Sequence, residues 1–213
     1  MKFDVKNRYT GRVQFTAEIE CPLDAVPSLK LGFAVRWGFA TGANLAGANL
    51  TGADLTRTNL AGANLAGANL AGANLTRTNL VGANLAGANL TWAYLAWANL
   101  TGADLTGANL AGADLDGASL ARADLDGASL ARAKIRDHTI GKLIARAGRM
   151  DGYEFLIFAT DLGNIIRAGC RTFTMDEFRA HVAAEYPGTD KARETLDILA
   201  FFEARLVGQG GQP

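Results

Sequence analysis

The stretch A-N-L-A-G-A-N-L-T-G-A-D-L at residues 43–55 decides the fold of this chain. Its five-residue unit continues without an insertion, and a leucine occupies every fifth position from Leu45 to Leu130, eighteen in succession. Ile135 and Ile140 continue the same phase. A strict repeat of this length indicates that one local structure is used again and again along the chain.

The other positions of the unit repeat as well. Alanine stands two positions before each leucine, except at Thr58 and Thr78, and asparagine or aspartate usually stands directly before it. Glycine usually stands two positions after the leucine. A period of five would spread the leucines around a helix and alternate them between the faces of a flat strand. A chain that turns a corner once per unit, with glycine at the turn, keeps every leucine on one axis. The sequence therefore predicts an all-β solenoid with leucine and alanine inside.

This run resembles the pentapeptide-repeat family over residues 43–140. The resemblance implies a right-handed quadrilateral β-helix with four pentapeptides per coil, which makes about five coils of repeat units that stack on their neighbours. The flanks N-R-Y-T-G-R-V-Q-F-T-A-E-I at residues 7–19 and R-A-G-C-R-T-F at residues 167–173 are similar to the flanks of uncharacterised phage and bacterial members. That second resemblance implies no activity.

Small α+β caps are expected at both ends, because an open solenoid exposes unpaired strand edges and core leucines. Residues 1–42 are predicted to form a hairpin, with strands at 3–6 and 13–20, and then a helix that covers the first coil. Strict apolar alternation over residues 29–39 also permits a strand there. The repeat itself is assigned to residues 43–140.

Residues 141–207 are predicted to form the second cap, and residues 208–213 a disordered tail. Thr174 and Glu177 have the spacing of a capping box, which predicts a helix start. The predicted elements are a short helix at 142–149, a hairpin of strands 153–160 and 165–173, a helix from 174 to about 184, and a helix over 190–206 with Leu196, Leu199, Phe202 and Leu206 on one face.

The composition argues against several classes of function. The chain has 21 basic and 21 acidic residues, a balance that fits neither a general polyanion binder nor a strongly acidic nucleic-acid mimic. No apolar run is long enough to span a bilayer, and the first residues contain no secretory apolar core. Cys21 and Cys170 are too few for a disulfide framework. We therefore expect a cytoplasmic protein with reduced thiols, no membrane association and no direct nucleic-acid binding.

Few residues could carry chemistry. The two histidines, His138 and His181, lie in different predicted elements, and no cysteine or histidine pair has metal-ligand spacing. Cys170 could act as a nucleophile with a histidine base, but its place in an apolar strand favours a buried structural thiol. We therefore predict no catalytic residue, no metal, no cofactor and no enzymatic activity.

The predicted binding site consists of Arg57, Arg77, Trp92, Tyr94 and Trp97. Four pentapeptides per coil would place Arg57, Arg77 and Trp97 in one column, with Trp92 on the neighbouring side and Tyr94 between the tryptophans. Exposed aromatic residues with arginine are typical of interface anchors. The alternatives are that the rings pack under a cap, or that Arg77 stacks on Trp97 as a cation–π pair.

Three functions remain open. The first is a non-enzymatic interaction or scaffold protein, with a protein partner of unknown identity or with a second copy of the chain in a homodimer. The second is a DNA mimic that modulates a type II topoisomerase such as DNA gyrase, as some relatives do; the short rod and the six aspartates against four arginines in residues 43–133 argue against it. The third makes residues 141–213 a small effector or catalytic domain, which a pocket containing His181 or Cys170 would support.

Overall fold

The computed structural model describes residues 1–136, 138–149, 154–168 and 171–207. The elements outside the main run of repeats are β1 (Lys2–Lys6), β2 (Val13–Glu18), α1 (Pro27–Ala40), β3 (Lys134–Ile135), β4 (His138–Gly148), β5 (Glu154–Thr160), β6 (Gly163–Ala168), β7 (Arg171–Thr174), α2 (Met175–Glu185) and α3 (Asp190–Val207). None of the described helices is long and apolar enough to cross a membrane.

The repeat is a solenoid in which residues twenty positions apart lie side by side. Parallel bridges join Asn59 to Asn79 and Asn79 to Asn99, and the same spacing holds along the described repeat. Four pentapeptides therefore make one coil. Every leucine of the series from Leu45 to Leu130 is at most 4% exposed, so the predicted inward register of the leucines is confirmed.

The residue before each leucine shapes the corner that follows. Oδ1 of Asn59 accepts a hydrogen bond from the amide of Ala61 at 3.2 Å, and most Asn and Asp residues at this position make the same bond. This local bond holds the chain in a turn. The side chains also bond between coils, since Nδ2 of Asn79 donates to Oδ1 of Asn59 at 3.0 Å.

The two threonines that replace alanine both have a partner for their hydroxyl groups. Oγ1 of Thr78 donates to the carbonyl of Leu55 at 2.7 Å, inside the solenoid. Thr58 lies in the first coil, where its Oγ1 accepts a hydrogen bond from Nε of Arg36 at 2.9 Å. A buried hydroxyl group is therefore satisfied at each exception to the repeat.

The N-terminal segment packs against the first coil of the solenoid. The amide of Asn49 donates to the carbonyl of Lys6 at 2.7 Å, and the amide of Asp54 donates to the carbonyl of Ser28 at 3.0 Å. Helix α1 lies so close to the first coil that a Cβ on Gly32 would be 1.9 Å from the carbonyl oxygen of Asp54. The predicted hairpin and helix are present, and the alternative strand over residues 29–39 is wrong.

The C-terminal segment continues directly from the last coil. Strands β3 to β7 form an antiparallel sheet in chain order. Leu156, Phe158 and Ile165 belong to the same buried cluster as the repeat leucines. The alternate residues, such as Phe155 and Ile157, pack with α2 and α3. The sheet thus lies between the end of the solenoid and the two helices.

Three predictions for this segment need correction. Residues 142–149 are not a helix, because β4 pairs with β5 along its length and its Ile140 exchanges hydrogen bonds with Arg132 and Ala133 of the last coil. This distant pairing overrides the local helical pattern. The strand predicted over 165–173 is divided into β6 and β7. Leu196 is exposed, whereas Thr195 is buried with Leu199 and Phe202. Thr195 is seven residues, or about two turns, before Phe202 and therefore lies on the same face of α3.

The capping box and both helices of this segment are confirmed. The Thr174 side chain accepts from the Glu177 amide, and Glu177 bonds back to the Thr174 amide. Helix α2 ends at Glu185 and α3 runs over Asp190–Val207, close to the predicted bounds. The side chain of Leu206, Cys170 and the predicted tail at 208–213 lie outside the described residues.

Candidate functional site

The corners of the solenoid use a left-handed backbone, which glycine adopts without strain. Gly87, for example, has a φ of 63°. Six corners in the described repeat carry a larger residue at a φ between 54° and 61°: Arg57, Arg77, Trp92, Trp97, Arg122 and Arg132. A left-handed conformation costs an L-residue roughly 1–2 kcal/mol. Folding alone would favour glycine at these six positions.

Three aromatic residues meet on one side of one coil. Trp92 and Trp97 occupy consecutive corners, and the side between them presents Tyr94 outward. The three residues are 62%, 60% and 56% exposed, in the order Trp92, Trp97, Tyr94. We call these three residues the aromatic face.

Each indole ring lies over a glycine of the next coil. A Cβ on Gly117 would be 2.5 Å from Cδ2 of Trp97, and a Cβ on Gly112 would be 2.6 Å from Cε3 of Trp92. Only glycine leaves room for the rings in these positions. One side of each ring is therefore held against the solenoid, and the remaining surface is open to a partner.

The two arginines extend the face along the solenoid. The amide of Arg57 donates to the carbonyl of Thr76, directly before Arg77, and the amide of Arg77 donates to the carbonyl of Ala96, directly before Trp97. Arg57, Arg77 and Trp97 therefore follow one another on successive coils, as the period predicts. Both arginines are exposed.

Neither alternative reading of the aromatic residues describes this geometry. The indole of Trp97 leans toward Gly117, which lies on the opposite side from Arg77, and the cation–π contacts among the described residues do not include this pair. All three residues are more than half exposed, so no described cap segment covers them. Gly112 and Gly117 were not identified from the sequence as the residues beneath the rings. Their position in the sequence, twenty residues after Trp92 and Trp97, could have indicated this contact.

The charged residues around the aromatic face have opposite sign at its two ends. Arg57 and Arg77 precede the aromatic face along the solenoid, whereas Asp114 and Asp116 follow it. Tyr94 lies between Asn74 and Asp114 in its column. A partner would therefore meet positive charge at one end of the face and negative charge at the other.

The residues considered for chemistry are not brought together. Nδ1 of His138, on β4, lies 3.2 Å from Oγ1 of Thr160, whereas His181, on α2, stacks against Phe173. Cys170 lies outside the described residues. Within the described ranges, no group of three or more His, Cys, Asp or Glu side chains is placed to hold a metal ion.

Comparison with known proteins assigns the repeat. The family described as pentapeptide repeats (8 copies) matches residues 41–77, 63–102 and 103–137. The chain belongs to the pentapeptide-repeat family. No curated protein matches the chain.

Solved structures of other pentapeptide-repeat proteins match part of this chain. A protein from the cyanobacterium Cyanothece 51142 is 42% identical over 40% of this chain, with a TM-score of 0.38; the chain spans 56% of that structure. A thylakoid lumen protein from Arabidopsis thaliana is 35% identical over 44% of this chain and 69% of its own, with a TM-score of 0.37. A protein from Nostoc PCC 7120 is 37% identical over 45% of this chain and 71% of its own, with a TM-score of 0.24.

The pentapeptide repeat accounts for the buried leucines, the alanines and the turns, but it does not account for the aromatic face. Glycine occupies most of the equivalent corners in this chain, and most of these corners have open space around the glycine. The repeat therefore does not require a large side chain at a corner. The cytoplasmic location stays a prediction.

Proposed function

We propose that this pentapeptide-repeat protein is a non-enzymatic interaction module that binds a partner protein through the aromatic face, Arg57 and Arg77. The observation that carries the proposal is the strained and exposed placement of Trp92 and Trp97. Backbone strain that the fold does not need is a common feature of functional sites. Trp92 and Trp97 depart from the preference for glycine at left-handed corners, and we assign binding to these two positions.

The chemistry of the surface favours a protein as the partner. Tryptophan, tyrosine and arginine are the residues most enriched among the energetic anchors of protein interfaces. The glycines beneath Trp92 and Trp97 let one side of each ring pack on the solenoid before a partner binds. A pre-organised ring loses less conformational entropy when it is covered. The balance of charge, with equal numbers of basic and acidic residues, does not favour a nucleic acid.

The proposal assigns supporting roles to the rest of the chain. Residues 1–42 and 141–207 act as caps of a right-handed quadrilateral β-helix over residues 43–140. The hydrogen bonds of Asn49 and Asp54 with the N-terminal segment support the first cap. The shared buried cluster of Phe158 and the repeat leucines supports the second. Caps of this kind keep strand edges from pairing with other molecules.

The test compares three tagged baits in lysate of the native host. These are the unaltered protein, the double variant Trp92→Gly with Trp97→Gly, and Arg122→Gly. The Arg122 variant is the matched control, because it also replaces a left-handed corner residue by glycine but lies on another side of the solenoid. We expect a protein retained by the unaltered bait and by the control, and lost from the double variant. Equal recovery on all three baits would contradict the proposal.

Light scattering on the same three proteins distinguishes a second copy from a different partner. We expect all three proteins to be monomers, because the aromatic face would bind a different protein and not a second copy of this chain. A dimer that is lost only in the double variant would assign the face to self-association instead.

The topoisomerase hypothesis makes a different prediction. A DNA mimic uses an acidic surface, whereas residues 43–133 contain six aspartates and four arginines. We expect no inhibition of DNA gyrase supercoiling at stoichiometric concentration. Inhibition that weakens when Asp104, Asp114 and Asp124 are changed to asparagine would replace the proposed function with this one.

A further inference from the structure

A cavity of about 250 Å³ lies in the C-terminal segment, away from the aromatic face. It is enclosed by strands β5 to β7 on one side and by helices α2 and α3 on the other. The described residues that line it include Arg149, Arg171, Phe173, His181, Tyr186 and Thr195. Its described lining comes from β5, β6, β7, α2 and α3, from Arg149, which follows β4, and from Tyr186, which follows α2.

Arg149 is held in place at the cavity wall. The residue is only 8% exposed, and its Nη1 donates to Oγ1 of Thr195 at 3.2 Å. Its guanidinium group lies over the ring of Tyr186, 5.6 Å from the centroid. A guanidinium fixed by a hydrogen bond and an aromatic ring is pre-organised for recognition of an oxyanion.

A second guanidinium and an imidazole line the same cavity. Arg171 is exposed at the start of β7, and its side chain forms no ion pair with any described residue. The ring of His181 stacks on Phe173 at 4.9 Å between centroids, with an interplanar angle of 22°. Neither ring nitrogen of His181 has a hydrogen-bond partner among the described residues. Both side chains can therefore donate to a ligand.

The remaining lining combines an apolar floor with little opposing charge. Phe155, Phe178 and Val182 are buried beneath the cavity. Glu185 is the one acidic residue among the described residues of the lining. Arg149, Arg171 and His181 thus place nitrogen donors beside aromatic and aliphatic surface.

We propose that this cavity binds a small organic oxyanion. Arg149 and Arg171 would bind a carboxylate or phosphate group, and the apolar body of the ligand would lie against Phe173, His181 and Phe178. The volume is below the roughly 300–1,000 Å³ of pockets that hold drug-sized molecules, which limits the body to about one ring. This site is separate from the proposed protein interface.

The experiment follows the two histidines of the full-length protein by NMR during titration. The chain contains only His138 and His181, so the imidazole signals of His138 serve as an internal control. The probes are benzoate and phenyl phosphate, with benzyl alcohol as the neutral analogue. We expect a saturable shift of the His181 signals with at least one anionic probe, an unchanged His138, and no saturation with benzyl alcohol.

Two variants assign the binding to the cavity. Arg171→Gln lies at an exposed position and should fold; it should weaken binding by about tenfold, the effect of one charge-assisted contact. Arg193→Gln, an exposed arginine on α3 outside the cavity lining, should leave the affinity unchanged. Benzoate binding alone would identify a carboxylate site, and phenyl phosphate binding alone a phosphate site. The inference is overturned if neither anion shifts His181, if benzyl alcohol binds equally well, or if Arg171→Gln binds like the unaltered protein.

Discussion

The indole ring of Trp97 lies over Gly117, the residue at the same corner of the next coil, and a Cβ on that glycine would be 2.5 Å from Cδ2 of the indole. Trp92 and Gly112 repeat the relationship one corner away. The aromatic face is therefore built from two coils, one that carries the rings and one that leaves space for them. This dependence can be measured, because the solenoid offers equivalent glycines without a ring above them.

Gly117→Ala should destabilise the protein more than Gly107→Ala. Both glycines have a φ of 64°, so both variants introduce the same left-handed strain, but Gly107 has no neighbour within 4 Å of the added Cβ. Gly107→Ala should cost roughly 1–2 kcal/mol. The additional cost at Gly117 comes from displacement of the Trp97 ring and should appear in chemical denaturation and as a shift of the indole NH signal.

The double variant of Trp97 and Gly117 provides the control, because it measures the energetic coupling between these two residues. In the background Trp97→Gly, the substitution Gly117→Ala should cost no more than Gly107→Ala, because no ring remains to be displaced. Equal costs for Gly117→Ala and Gly107→Ala in the unaltered background would show that the ring does not depend on this glycine.

Gly32→Ala should lower the stability, although the change from glycine to alanine within a helix ordinarily raises it by roughly 0.5–1 kcal/mol. The added Cβ would be 1.9 Å from the carbonyl oxygen of Asp54, which belongs to the backbone of the first coil and cannot move aside. Helix α1 would have to retreat and lose the bond between the Asp54 amide and Ser28. Urea denaturation measures the effect.

Gly38→Ala is the matched control for the first cap. Its Cβ would meet the ring of Phe15 at 2.8 Å, a side chain that can adjust. The loss of stability should therefore be smaller than for Gly32→Ala. A neutral or stabilising Gly32→Ala would contradict the close packing of α1 on the first coil.

The capping box of α2 should contribute stability that depends on pH. The amide of Thr174 donates to Oε2 of Glu177 at 2.8 Å, and this bond holds the pKa of the Glu177 carboxyl below its ordinary value, with smaller contributions from the charges of Arg136 and His138. Because the folded pKa is the lower one, the contribution is present above the unfolded pKa and is lost as the pH falls through the folded pKa. The melting-temperature difference between the unaltered protein and Glu177→Gln should be largest near neutral pH and should shrink in acid. A difference that is independent of pH would contradict the role of the ionised carboxylate.

Much of the fold could be predicted from periodicity and local signals. The period of five places Leu85 inside and aligns Arg57, Arg77 and Trp97, and the spacing of Thr174 and Glu177 marks the start of α2. These features depend on residues that are close in sequence or on a strict repeat. Strand β4 could not be predicted in this way, because its partners lie in the last coil and in β5.

The details of both proposed sites also depend on information outside local sequence. The glycines beneath Trp92 and Trp97 matter only because the rings lean toward the following coil, a choice of side-chain direction that the repeat does not specify. The cavity in the C-terminal segment combines Arg149, Arg171 and His181 from different elements. These residues become neighbours only through the order of strands β4 to β7 and the packing of α2 and α3 on them.

The central claim is that Trp92 and Trp97 serve contact with a partner rather than folding, and the free energy of unfolding of Trp92→Gly with Trp97→Gly tests it most directly. Relief of strain at two left-handed corners, roughly 1–2 kcal/mol each, should offset the lost contacts of the rings with Gly112 and Gly117. We expect a value close to that of the unaltered protein, with Arg77→Gly, at a corner with a φ of 57°, as the control for strain relief without loss of a ring. A loss of more than about 3 kcal/mol, the size associated with removal of buried packing, would show that the rings belong to the fold and would contradict the claim.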